Sequence, residues 1–334
     1  MMKSRPKQKI LPLVLGISGT SLTQQERELF IKHKILGFIL FNRNIESTEQ
    51  VRTLTDELKT LHADYIPLIL IDQEGGRVQR ISPENIGQQQ YLPMENFGTI
   101  FTQDQEAGKR AIKENITQIM QELKQLGIDS PVAPVADLRH AGAHDVIGDR
   151  SFSSDPKIVA ECSAIAIDAI LDNGGFAVMK HIPGHGASKT DSHLDLPIID
   201  TPLNLLQQQD FEIFKQLSVI FQNQPKLWAM TAHIIYSALD EKMPATLSSK
   251  VIKYIREEIG FEGILISDAI EMKALPKAVF GKTEFDGMDL AHIALMAYQA
   301  GCDVILHCTG EIAEMIPICS AFAEENIFIT KSYE

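Results

Sequence analysis

The chain has no apolar run approaching the length of a membrane span, so no transmembrane helix is expected. It has no Pro-, Gly- or Ser-rich stretch that would divide it, which favours one domain over two at 334 residues. No G-x-G-x-x-G follows the first apolar segment, which weighs against a dinucleotide-binding, doubly wound sheet. Cysteine is sparse: Cys162, Cys302, Cys308 and Cys319 show no C-x-x-C spacing, so neither a zinc knuckle nor a redox motif is indicated, and a reducing cytoplasm is the simplest home. Positive charge is in deficit, with a net charge of -13, which argues against nucleic acid or an anionic membrane as partner but leaves room for a local cationic pocket. One feature opposes a cytoplasmic home: residues 1–9 are basic and 10–17 apolar, the outline of a secretory signal. That run is short, contains Pro12, meets a weak cleavage context at Ser18-Gly19-Thr20, and is needed as a first strand.

What is present fits a globular enzyme or binding protein with a filled core: 44% apolar and 22% charged residues. Short apolar runs at 10–17, 37–41, 66–71, 128–135, 176–179, 226–231, 263–267 and 303–306 read as strands. Each is followed by a segment of helical spacing: 23–34, 47–62, 102–126, one capped by Ser154 or Asp155 and ending at 173, then 203–221, 248–259, 286–300 and 311–325. Strict alternation calls for a parallel sheet, and eight repeats suggest closure into a (β/α)8 TIM-type barrel. Arg43, Asp72, Asp137, Lys180 with His181, His233, Asp268 and His307 all fall just past predicted strand ends, the face where barrel active sites lie.

The most polar of these stretches is 180–197, KHIPGHGASKTDSHLDLP. Asp191 and His193 stand two apart in it; a carboxylate beside imidazole can orient the ring and stabilise its protonated form, giving a general acid near neutral pH. The bland alternative is an Asx-type turn with a solvated histidine. His181, His185 and His193 are also a conceivable zinc set, although the spacing matches no H-E-x-x-H or H-x-H pattern. Asp268, after Ile264, Leu265 and Ile266, is placed to act as nucleophile or base, or to cap a helix. Asp72 precedes Gly75-Gly76, whose lack of Cβ allows a ligand or backbone to approach closely; carboxylates in such sites often accept paired sugar hydroxyls, with a turn-stabilising aspartate as the plain alternative. Arg80, Arg150 and Lys180 share the same predicted face; singly each reads as surface charge, together as a pocket for an anionic group.

With these residues in place, the sequence resembles the glycoside hydrolase family 3 β-N-acetylhexosaminidases, in the single-domain bacterial form of peptidoglycan recycling. The resemblance runs from about residue 13 to 306 and rests on ILFNRN (39–44), IDQEGGRVQR (71–80), APVADL (133–138), IGDRSF (147–152), KHIPGHG with DSH (180–193), TAHIIYSALD (231–240), ILISDAIEM (264–272) and AGCDVIL (300–306). It implies a retaining β-N-acetylglucosaminidase on a (β/α)8 barrel, a monomer needing no metal or other cofactor. By motif position Asp268 looks like the nucleophile and His193, aided by Asp191, like the acid/base, which is unusual because retaining enzymes generally use two carboxyl groups. Asp72, Arg80, Arg150, Lys180 and His181 fall on substrate-binding positions, and the cations suit the lactyl carboxylate of a 1,6-anhydro-N-acetylmuramoyl unit. The implied substrate is GlcNAc joined to that unit, with or without peptide.

Two departures stand out. Family members often carry a second aspartate after the nucleophile, where this chain has Ala269, and residues 273–285 match no pattern of the family. Gly184 and Gly186 are expected to let the His193 loop close over bound sugar.

Overall fold

The computed structural model describes residues 9–86, 89–188, 196–281 and 286–331. Seven strands form one parallel sheet: β1 (Leu11–Gly16), β2 (Ile35–Leu40), β3 (Leu68–Ile71), β4 (Ala177–Ile182), β5 (Leu227–Thr231), β6 (Ile264–Ala269) and β7 (Val304–His307). Their order is β3-β2-β1-β7-β6-β5-β4, and pairing in register such as Leu13 with Ile305 and Gly37 with Leu68 curls the sheet toward closure.

The gap between β3 and β4 is filled by residues 128–136, the expected fourth strand. It makes only isolated bridges, Leu70 to Ser130 and Val135 to Lys180. Pro131 and Pro134 have no N–H to give, so this segment serves mainly as acceptor. The carbonyls of Ser130 and Pro131 take the Ile71 and Gln73 N–H groups at 3.0 Å, and those of Ala133 and Pro134 take Val178 and Lys180 at 2.9 and 3.1 Å. The ring is thereby closed as a (β/α)8 barrel with one irregular member.

Alternation along each strand sorts the core into two layers. Val14, Ile39, Leu70, Val178, Trp228, Ile266 and Leu306 point inward and pack together in the barrel interior. Leu13, Leu15, Phe38, Ile69, Met179, Leu265 and Ile305 point outward and meet the helices.

The helical ring comprises α1 (Gln24–Lys32), α2 (Thr48–Lys59), α3 (Gln105–Gln125), α4 (Pro156–Asp172), α5 (Asp210–Ile220), α6 (Ser249–Glu257), α7 (Gly287–Ala300) and α8 (Ile312–Glu324). Side-chain caps set their starts. Thr23 and Glu26 form a reciprocal capping box on α1, and Asp155, not Ser154, caps α4 with Pro156 in its first turn.

Two expected helices are each broken in two. Asp104, extended at φ -148, separates Met94–Gln103 from α3 and accepts the Ala107 N–H at 3.0 Å. Gln209 separates Leu203–Gln208 from α5. Within 273–285, which matches no pattern, the described residues form a short helix, Ala274–Phe280, ended by Gly281 in the left-handed region.

Candidate active site

β4 is longer than its apolar run suggests: Lys180 pairs with Met230 and Ile182 with Thr231, and His181 lies in the register shift between them, inside the strand rather than past its end. β6 likewise includes Asp268. The side chains emerging here, at the C-terminal edge of the barrel, line a cavity of about 500 Å³ containing Asp72, Arg80, Arg150, Lys180, His181 and Asp268 together. Six residues named from the sequence, separated by up to 196 positions, thus share one pocket. Asp191 and His193 lie outside the described residues.

The floor is an ion network. After β3 the chain turns through a small antiparallel hairpin, Gln73–Gly75 against Val78–Gln79. This carries Asp72 and Glu74 to the cavity and returns Arg80 beside Asp72, at 3.1 Å. Gly75 and Gly76, with φ of +100 and +56, make the turn possible; a Cβ on Gly75 would strike the Leu92 carbonyl at 2.6 Å. Of the two partners expected to approach these glycines, it is backbone that does so at Gly75.

Lys180 Nζ lies 3.1 Å from Asp72 and 2.6 Å from Glu74. Arg150, presented by the turn Gly148–Arg150, grips Glu74 with two bonds of 2.8 and 2.9 Å. Burial penalises each of these charges, but the partners win: Lys180 and Arg80 hold Asp72 below the usual carboxylate range, Arg150 and Lys180 hold Glu74 well below it, and Asp72 and Glu74 raise Lys180. Arg80 stacks over the Phe41 ring, 5.4 Å from its centroid, and its buried Nε finds no acceptor among the described residues.

His181 is oriented by Asp137, which is fully buried. Its carboxylate accepts His181 Nδ1–H at 2.6 Å and the backbone N–H groups of His181 and His185 at 3.1 and 2.6 Å. Nε2 of His181 is the nitrogen left to the cavity. The Asp137 carboxyl is held low, against burial, by His181 and His185. His185 itself is buried and kept neutral: burial, then the neighbouring His181, lower it to about 4. Among the described residues no three His, Cys, Asp or Glu side chains converge on a metal-sized site; His193, the third histidine of the zinc alternative, lies outside them.

Asp268 accepts the N–H of Ala269 at 2.8 Å and is partly exposed in the cavity. It caps no helix, since the next one begins at Ala274 with Lys273 in the cap position. The strand end is pinned from behind by His233, only 1% exposed, whose Nε2 meets the Ala269 carbonyl at 2.9 Å and whose Nδ1 meets Thr246 Oγ1 at 2.7 Å. His233 therefore supports the site rather than lining it, as does Arg43, which bonds the Ile17 carbonyl at 2.8 Å.

This constellation sits where barrel hydrolases work, and the comparisons agree with it. The model of the glycosyl hydrolase family 3 N-terminal domain matches residues 7–327. The chain belongs to glycosyl hydrolase family 3. It is 38% identical over 300 residues to a β-hexosaminidase of Alkalilimnicola ehrlichii, covering 89% of this chain and 80% of that one. It is 35% identical over 301 residues to a β-hexosaminidase of Xanthomonas axonopodis pv. citri, covering 90% and 84%. Among solved structures, NagZ from Neisseria gonorrhoeae in complex with N-trifluoroacetyl-D-glucosamine superposes with a TM-score of 0.80 at 28% identity, over 98% of this chain and 93% of that one.

For this family 3 glycosidase the sequence reading missed Glu74, which joins Lys180 to Arg150, and passed over Asp137 as one more polar strand end. Glu271 and Cys308 also line the cavity, joined by the Cys308 N–H to Glu271 Oε1 at 2.9 Å, and burial raises both side chains above their usual ranges. Nothing in the spacing of the sequence distinguishes Glu74 from its neighbour Asp72. Only the fold reveals that β4 and the turn at Arg150 converge on it.

Proposed function

We propose that this chain is a retaining β-N-acetylglucosaminidase that removes terminal GlcNAc from 1,6-anhydro-N-acetylmuramoyl fragments, with or without peptide, in cytoplasmic peptidoglycan recycling. It acts as a monomer, one catalytic barrel domain, without metal. The observation that carries this reading is the position of Asp268, at the end of β6, in the same cavity as Asp72, Lys180, Arg150 and His181.

In this reading Asp72 and Nε2 of His181 accept from sugar hydroxyls while Lys180 and Arg80 donate to them, and the buried ion pairs keep these groups from moving as the sugar enters. Asp268 attacks the anomeric carbon. The glycosidic C–O bond breaks, and His193, steadied by Asp191, gives its proton to the leaving oxygen. The resulting glycosyl ester on Asp268 is hydrolysed by a water from which the now neutral His193 takes a proton, releasing GlcNAc with its configuration retained.

The test is hydrolysis of an aryl β-N-acetylglucosaminide by the wild type, Asp268→Ala and His193→Ala, with EDTA present throughout. Full wild-type activity, lost in Asp268→Ala, is expected, and a 2-fluoro glycosyl trap should label Asp268. Activity that needs added zinc would overturn the metal-free mechanism; undiminished activity in Asp268→Ala would remove the nucleophile assignment.

A further inference from the structure

The cavity floor carries three cations, yet none has free charge to offer a substrate anion. Lys180 is shared by Asp72 and Glu74, Arg150 holds Glu74 with two bonds, and Arg80 pairs with Asp72. Three cations against two carboxylates leave one positive unit, matched by Asp268 in the same cavity. A carboxylate on the substrate would have to break one of these buried pairs to reach its partner, exchanging one ion pair for another with no gain. These groups suit hydroxyls, which accept and donate without displacing charge.

Lys273 differs from all three. It lines the same cavity, is exposed, and makes no ion pair among the described residues. It follows Asp268 by five positions, in the stretch that matches no family pattern. The depth ordering decides its role: Glu74 and Lys180 are each 3% exposed and Arg150 11%, so they form the closed end, while Lys273 stands at the open mouth. An enzyme that takes a terminal sugar puts that sugar at the closed end, and the rest of the molecule extends through the mouth. Glu271, an acidic wall residue two positions before Lys273, turns one carboxylate oxygen to the Cys308 N–H and makes no ion pair with Lys273 among the described residues.

We propose that Lys273 is a specificity-determining residue that binds an anionic group on the leaving portion of the substrate. The site thereby prefers glycosides whose aglycone bears a carboxylate close to the scissile bond. This deepens the glycosidase reading above and rests on it.

The test compares kcat/KM of the full chain for GlcNAc-anhydro-N-acetylmuramic acid and for its lactyl methyl ester, read as the ratio of acid to ester. The ratio should exceed one in the wild type and fall about fivefold in Lys273→Ala, the size of a solvent-facing ion pair. It should fall further in Lys273→Glu, recover in Lys273→Arg, and shrink in the wild type as salt shortens electrostatic reach from about 10 Å at 0.1 M to about 3 Å at 1 M. An identical ratio in wild type, Lys273→Ala and Lys273→Glu would overturn the proposal while leaving the glycosidase reading intact. If neither disaccharide is cleaved but an aryl β-N-acetylglucosaminide is, the recycling substrate is wrong, and the same ratio taken on carboxyphenyl and methoxycarbonylphenyl glycosides decides Lys273. Absence of all hydrolysis would remove both readings.

Discussion

Lys180 and Glu74 meet at 2.6 Å, each 3% exposed, across a seam of the barrel held by isolated bridges instead of a regular ladder. Lys180 belongs to β4 and Glu74 to the hairpin after β3, with residues 128–136 between those two strands. Charges so deeply placed are stable only as a set, because each would be an uncompensated ion if its partners were removed.

Glu74→Gln keeps the volume and removes the charge, leaving Lys180 and Arg150 with only Asp72 to share. The expected cost is about 3–5 kcal/mol, the loss typical of breaking a buried pair from one side. For a domain of this size that is a fall in melting temperature of about 4–7 °C. Thermal unfolding followed by circular dichroism would read it, and a change of less than about 2 °C would show that the network does not bear on stability.

Asp137→Asn should weaken sugar binding without touching the nucleophile. The variant loses the charged acceptor that fixes His181 Nδ1–H and the two backbone N–H groups. If about 1.4 kcal/mol of that orientation is felt by the bound sugar, KM for an aryl β-N-acetylglucosaminide rises tenfold. Because the change is expected in KM and not in kcat, a steady-state split of the two parameters checks it; a selective fall in kcat would point to a direct part in the chemistry.

The pH dependence of stability has a definite sign. His185 is lowered from 6.5 to about 4, so its neutral form is favoured in the folded chain. Its contribution is complete above pH 6.5 and is lost progressively as pH falls toward 4, where protonation in the unfolded chain alone pulls the equilibrium over; the total is on the order of 3 kcal/mol. Asp72, Glu74 and Asp137, all held below the ordinary carboxylate range, act in the same direction at lower pH: their stabilisation is present above it and disappears as pH falls through their folded values. Urea unfolding at pH 7 and pH 4.5 should therefore show a marked loss in the wild type and a smaller one in His185→Asn. Equal losses in both would remove His185 from the account.

Gly186→Ala should damage turnover more than folding. A Cβ there would be driven into the Leu138 carbonyl, and the ring of His140 stands 3.2 Å away, so the segment leading toward residues 191–193 must shift. Displacements near 1 Å at a reacting group cost about a hundredfold in rate. Comparing kcat with melting temperature for the variant separates this from simple unfolding. Gly184 is equally confined, its Cβ position lying 2.7 Å from Asp210 Cβ. Both glycines are thus closely packed, while the His193 loop whose closure they were expected to serve lies outside the described residues.

The barrel was legible because apolar runs recur at every strand, and their polar ends gather at one face. Boundaries were less so. Lys180, His181 and Asp268 are polar, so an apolar criterion stops β4 and β6 before them, although all three lie within the strands. The breaks at Asp104 and Gln209 were hidden because helical spacing of apolar residues continues across both. Polar partnership was the least visible: Asp72 and Arg80 were singled out, whereas Glu74 between them has a meaning only once Arg150, 76 residues away, is brought to 2.8 Å.

Residues 128–136 connect their neighbours largely through carbonyls, and that has a price for how the enzyme can change. Across this seam run Lys180 to Asp72, Lys180 to Glu74 and Asp137 to His181, so the side chains proposed to hold the sugar are also the lacing that keeps the barrel shut. Recognition and closure are thus performed by the same atoms. Sequence drift at the floor is restrained twice over, and new substrate preferences are more readily acquired at the rim, where Lys273 stands clear of the stitching.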